Sequence, residues 1–111
     1  MLFCLTGDYT PHALNAMREN PNTDRRAAVE QVLAAAGGKL VSIYGRAPNG
    51  PGVLVIFDVP DPAAAPAMSS VAISAGTLQN VELTRLFTME DVGQVRQQAM
   101  KLRAASKPPG Q

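Results

Sequence analysis

Residues 1–8 alternate weakly between apolar and polar, and Leu2, Phe3 and Leu5 predict a first strand there. Thr10-Pro11 follows as an N-cap and a proline at the first helical position, opening a short helical segment to about Glu19. Asn20-Pro21-Asn22 interrupts it, and Asn22 or Thr23 is placed to cap a restart. Val29, Val32, Leu33 and Ala36 then fall at helical spacing on one stripe, and Gly37-Gly38 closes the helix as a left-handed C-cap requires. Residues 39–46 predict the second strand, with Val41 and Ile43 on one face and Leu40, Ser42, Tyr44 and Arg46 on the other. Ala47-Pro48-Asn49-Gly50-Pro51-Gly52 is dense in turn formers. Residues 53–57 are apolar on both faces, the mark of a central third strand. Pro60-Asp61-Pro62 stops that strand and starts an alanine-rich helix, which Gly76 ends. Residues 81–87 predict a fourth strand. Thr88-Met89-Glu90-Asp91 then caps a last helix, in which Val92, Val95, Ala99 and Leu102 repeat at helical spacing.

The order β-α-β-β-α-β predicts an α+β, ferredoxin-like fold: a four-stranded antiparallel sheet with helices on one face, followed by an extra C-terminal helix. Residues 1–105 form the single domain expected of 111 residues, and 106–111 (Ser-Lys-Pro-Pro-Gly-Gln) a flexible tail. Helices on one face leave the other for something else. The 46% apolar content exceeds what two helices cover, so the surplus is expected on the second face, and with it a homodimer or higher oligomer.

Charge narrows the partners. The net charge of +1 divides into −3 over residues 1–91, with six bases against nine acids, and +4 over 92–111, where Arg96, Lys101, Arg103 and Lys107 meet no acid. Basic residues late in a helix complement its dipole, so no nucleic-acid partner is expected. No run of 18 apolar residues predicts a membrane span. The opening Met1-Leu2-Phe3-Cys4-Leu5 lacks a basic segment and a long apolar core, so the expected location is cytoplasmic. One cysteine, one histidine and scattered carboxylates give no metal spacing; no metal and no cofactor is expected.

Strand geometry supplies the candidate site. Cys4, Thr6 and Asp8 share one face of their strand, as Ser42, Tyr44 and Arg46 share one of theirs. If Val41 and Ile43 face the helices, Ser42, Tyr44 and Arg46 face the open side, joined by either Glu82 and Thr84 or Arg85 from the fourth strand. Thr6, Ser42, Tyr44, Arg46, Arg85 and His12 are therefore the ligand-binding candidates. Such residues serve equally as polar groups bonding across a dimer seam. His12, near the start of the first helix, reads as a surface residue, with an axial haem ligand or a proton-transfer base as the functional alternatives. Cys4 reads as an inert buried thiol, Tyr9 as packing or site, and the glycine pairs as a helix end and a hairpin rather than phosphate loops.

Gly7-Asp8-Tyr9-Thr10-Pro11, Arg25-Arg26-Ala27-Ala28-Val29 and the stretch Ala36-Gly37-Gly38-Lys39-Leu40-Val41-Ser42-Ile43-Tyr44 together resemble the GYD-domain family. Gly76-Thr77-Leu78-Gln79-Asn80-Val81 and Thr84-Arg85-Leu86-Phe87-Thr88 fit it too, so the resemblance covers about residues 3–95. It implies a small bacterial or archaeal protein of the dimeric α+β barrel type, in which two sheets meet face to face. The chain departs at the namesake motif: where relatives carry Gly-x-Tyr-Asp, it has Gly50-Pro51-Gly52-Val53. The expected function is a homo-oligomeric protein of unassigned role that binds a small ligand on the open sheet face. The alternatives are a cofactor-free isomerase or monooxygenase, with Tyr44, Arg46, Arg85 or His12 polarising an oxygenated substrate, and a haem-binding module. No demonstrable catalysis is the leading expectation.

Overall fold

A computed structural model describes residues 1–47 and 50–111. Among them the elements run β1 (Leu2–Tyr9), α1 (Pro11–Glu19), α2 (Arg25–Ala35), β2 (Lys39–Arg46), β3 (Gly52–Asp58), α3 (Ala64–Ser74), β4 (Leu78–Leu86) and α4 (Met89–Ala105). The sheet order is β2-β3-β1-β4 with every neighbouring pair antiparallel, the ferredoxin-like arrangement. Of the turn at 47–52, Pro48 and Asn49 lie outside the described residues.

Local chemistry sets the helix ends. Thr10 caps α1 by accepting from the Ala13 N–H at 3.1 Å, and its hydroxyl donates to the Gly76 carbonyl, tying the start of α1 to the end of α3. The cap of α2 is Asp24, which accepts from Ala27 N at 3.0 Å, rather than Asn22 or Thr23. Thr23 instead donates to the Asn20 carbonyl at 2.6 Å, closing the turn between the helices. Gly37 takes φ +69°, and the Gly38 N–H reaches back to the Leu33 carbonyl at 2.8 Å.

The helix-facing side of the sheet holds the core: Phe3 and Leu5 of β1, Val53, Val55 and Phe57 of β3, with Leu33, Val59, Ala65 and Leu78. Phe57 is fully buried and stacks on Phe3 with ring centroids 5.8 Å apart. Two irregularities adjust the register. In β2, Leu40 stands opposite Phe57 and Ser42 opposite Ile56, so Val41 is the extra residue of a bulge and is 57% exposed. Leu40 therefore packs against the core with Ile43, which corrects the expected pairing of Val41 with Ile43. In β4, a shift opposite Thr6 and Asp8 lets the strand begin at Leu78 rather than at 81, with Asn80 absorbing it at φ +53°.

α2 leans on β2 and α3 on β4, while α4 stands away from the body. None of its side chains is buried, and Leu102 is 69% exposed. The radius of gyration is 17.8 Å, whereas a compact domain of this length has about 13 Å. No helix among the described residues is long and apolar enough to cross a membrane.

Candidate functional site

Residues directly opposed in antiparallel strands share a face, so the pairing sorts every side chain. The face away from the helices is built in rows across the sheet. One row reads Arg46, Gly52, Asp8 and Gln79; the next reads Tyr44, Leu54, Thr6 and Glu82. The third reads Ser42, Ile56, Cys4 and Thr84, and beyond it Leu2 stands between Asp58 and Leu86. Apolar side chains thus cluster on the middle strands, alongside Thr6, Asp8 and Asp58, while the edge strands are polar except for Leu86. Leu2, Cys4, Leu54 and Ile56 are all partly exposed there.

The structure brings Thr6, Ser42, Tyr44 and Arg46 to this face and leaves out the other two candidates. Of the alternatives on β4, Glu82 and Thr84 join the face. Arg85 pairs with Phe3 on the helix side. Its guanidinium lies 4.6 Å from the Phe87 ring centroid and 5.4 Å from that of Phe3, and Nη1 donates to the Leu86 and Leu2 carbonyls at 2.7 and 3.0 Å. This arginine tacks the end of β4 to the start of β1. His12 is exposed on α1, also on the helix side. Tyr44, Arg46, Arg85 and His12 therefore do not converge on one substrate within the protomer. Cys4 is half-buried on the open face rather than enclosed in the core.

One corner of the open face is strongly polar. Arg46 Nη2 donates to Asp8 Oδ1 at 2.8 Å, and Asn80 Nδ2 donates to Asp8 Oδ2 at 3.2 Å. The β4 bulge aims Asn80 at this carboxylate. Gly52 makes room: a Cβ there would overlap the Gly7 carbonyl oxygen and lie 3.3 Å from Asp8 Oδ1. Asp8 was legible as a member of this face; its partners were not, because they depend on the register of three strands.

A family model described as "GYD domain" matches residues 3–96. The chain belongs to the GYD-domain family. No curated protein matches it. In this GYD domain the segment Gly50-Pro51-Gly52-Val53 leads from the turn into β3. Gly52 is the close-packed neighbour of Asp8, and Val53 is buried on the helix side. The adjoining Pro51 carbonyl accepts from the Tyr9 N–H at 3.0 Å. The segment is fixed by backbone fit and carries no side chain for chemistry.

The helix side of this GYD domain holds a second feature, a hollow of about 250 Å³ between α2 and α3. Its floor is Leu5, Val53, Val55 and Phe57 of the two central strands. Above them the small side chains of Ala28, Ala72 and Ala75 leave the space between the helices unfilled. Tyr9, Arg25 and Thr77 supply its polar groups. A second hollow under α1, lined by His12, shares Arg25, Ala75 and Thr77 with the first. The sequence reading gave Arg25 no role. Its position carried a signal, an arginine at the first residue of a helix whose first turn has no acid. Among the described residues no group of three or more His, Cys, Asp or Glu side chains is placed to hold a metal ion.

Proposed function

We propose that this GYD domain works as a homodimer in which two open sheet faces close on each other and the projecting α4 helices embrace the partner. The observation that carries the reading is the open face itself, with Leu2, Cys4, Leu54 and Ile56 along its middle strands and partly exposed, while the core and the helices packed on it lie on the other face among the described residues. Apolar side chains ringed by polar ones are the usual anatomy of an interface. The polar corner suits a seam better than a binding site, since Asp8 already engages both Arg46 and Asn80.

Area and charge agree with this. Four strands ~4.8 Å apart and about seven residues long offer a face of roughly 450 Å². The 17 residues of α4 make a cylinder ~25 Å long and ~10 Å across, adding about 250 Å². The sum approaches the ~800 Å² per partner of a stable interface, while the sheet face alone falls well short. The helix is also too exposed to hold its shape by local propensity alone. Residues 92–111, most of the helix and the segment after it, carry +4 against −3 over residues 1–91, so an arm laid on a neighbouring body gains from both charges. The reading needs no cofactor and no partner other than a second copy.

Light scattering on the eluting protein tests it. Twice the chain mass is expected for the full chain at micromolar concentration, with weaker association after deletion of residues 89–111. A monomer at high micromolar concentration refutes the reading.

A further inference from the structure

We infer that the hollow between α2 and α3 binds a small monocarboxylate with an apolar, ring-sized body, anchored by Arg25. The hollow exists because α2 leans on β2 and α3 on β4, which leaves the central strands roofed by alanines and valines. Val32 and Val71 stand at its rim, 42% and 57% exposed, so the mouth is open to solvent. Its size sets the ligand. A cavity of about 150 Å³ accepts benzene, and about 250 Å³ accepts a ring with a short acid arm. That falls below the ~300 Å³ at which pockets for larger, drug-sized ligands begin.

Charge sets the headgroup. Arg25 is half-buried at the hollow, and its Nε is shielded from solvent with no hydrogen-bond partner. The ion pairs of the other arginines lie elsewhere: Arg26 with Glu30 at 4.0 Å, and Arg46 with Asp8 at 2.8 Å on the opposite face of the sheet. Among the described residues no carboxylate pairs with Arg25. A shielded guanidinium N–H without an acceptor is destabilising, and a carboxylate is the acceptor that matches its planar fork. The helix field points the same way. Arg25 is the first residue of α2, where the dipole disfavours a cation; the Asp24 carboxylate caps that helix end without pairing with Arg25, so a bound carboxylate relieves the arginine.

Tyr9 and Thr77 complete the polar end. Tyr9 stands opposite Leu78, the residue after Thr77, and Thr10 N donates to the Thr77 carbonyl at 3.1 Å. Arg25 and Thr77 both line the hollow under α1 as well, which puts them at the same end of the site. The remaining lining is apolar, which favours a hydrocarbon body over a sugar or a peptide. With one unpaired cation, the site matches a monoanion better than a phosphate dianion.

Calorimetric titration with phenylacetate and its uncharged isostere phenylacetamide tests the inference on the full chain, on Arg25→Gln and on Ala72→Phe. Phenylacetate is expected to bind the native chain at least tenfold more tightly than the amide. Arg25→Gln, at the half-buried first residue of α2, is expected to erase that preference, and Ala72→Phe to block both compounds by filling the hollow. Equal affinity for acid and amide, a preference that survives in Arg25→Gln, or no binding of either compound at millimolar concentration would each overturn it.

Discussion

Replacing Ile56 with Asp separates folding from pairing. Ile56 lies in the third row of the open face, between Ser42 and Cys4, and is only partly exposed in the protomer. Its face carries no core contact, so the protomer loses some strand propensity and partial side-chain burial, about 1 kcal/mol. The dimer loses far more. A two-fold axis brings two copies of the substitution into one interface, each a carboxylate taken out of water without a cation beside it. The effective cost of such burial is several kcal/mol per ion; at only ~2 kcal/mol each, the pair costs about 4 kcal/mol. With ~1.4 kcal/mol per decade, dissociation rises nearly a thousandfold. Sedimentation equilibrium of both proteins measures that ratio, and far-UV circular dichroism confirms that the variant keeps its strands and helices. An Ile56→Asp protein that is folded and as dimeric as the native chain would refute the assignment of this face.

Two further substitutions test how the sheet is held. Phe57→Ala empties a fully buried site stacked on Phe3 and is expected to cost about 3–5 kcal/mol in urea unfolding, best measured in the monomeric Ile56→Asp background. The β2 bulge makes neighbouring residues unequal: Leu40→Asp is expected to abolish cooperative unfolding, whereas Val41→Asp shifts the midpoint little, because Leu40 packs on the core and Val41 is mostly exposed. Equal effects at 40 and 41 would exclude the bulge.

The fold was legible because its signals are local. Thr10-Pro11, Gly37-Gly38, Gly76 and Thr88 each mark a helix end through their own side chain or backbone freedom, and the structure uses all four as expected. The apolar run of β3 placed it correctly in the middle of the sheet. What failed were counts along a strand. Strict alternation put Leu40 with Ser42, and one inserted residue moves Leu40 to the core while leaving Ser42, Tyr44 and Arg46 where alternation had them. The same kind of irregularity hid the first residues of β4, where Leu78-Gln79-Asn80 resembles a turn.

The candidate site was legible by face and not by pairing. Thr6, Ser42, Tyr44 and Arg46 share the open face, while Arg85 belongs to the opposite one and His12 to a distant helix. The Arg46–Asp8–Asn80 corner joins residues 34 to 72 positions apart, which no spacing pattern along the chain reveals. The hollow at Arg25 is less legible still. It arises from two helices leaning on different strands, and only the unfavourable arginine at the start of α2 hints at it.

Cys4 gives the most direct measurement of whether the open face is covered. It is the one cysteine of the chain and sits on that face opposite Ile56 and Thr84. Its rate of reaction with a thiol reagent reports the fraction of uncovered sheet at each protein concentration. Face-to-face pairing predicts a rate that falls as the native chain is concentrated through its dissociation constant, with Ile56→Asp reacting fast throughout. A native rate that is independent of concentration and equal to that of Ile56→Asp would contradict it.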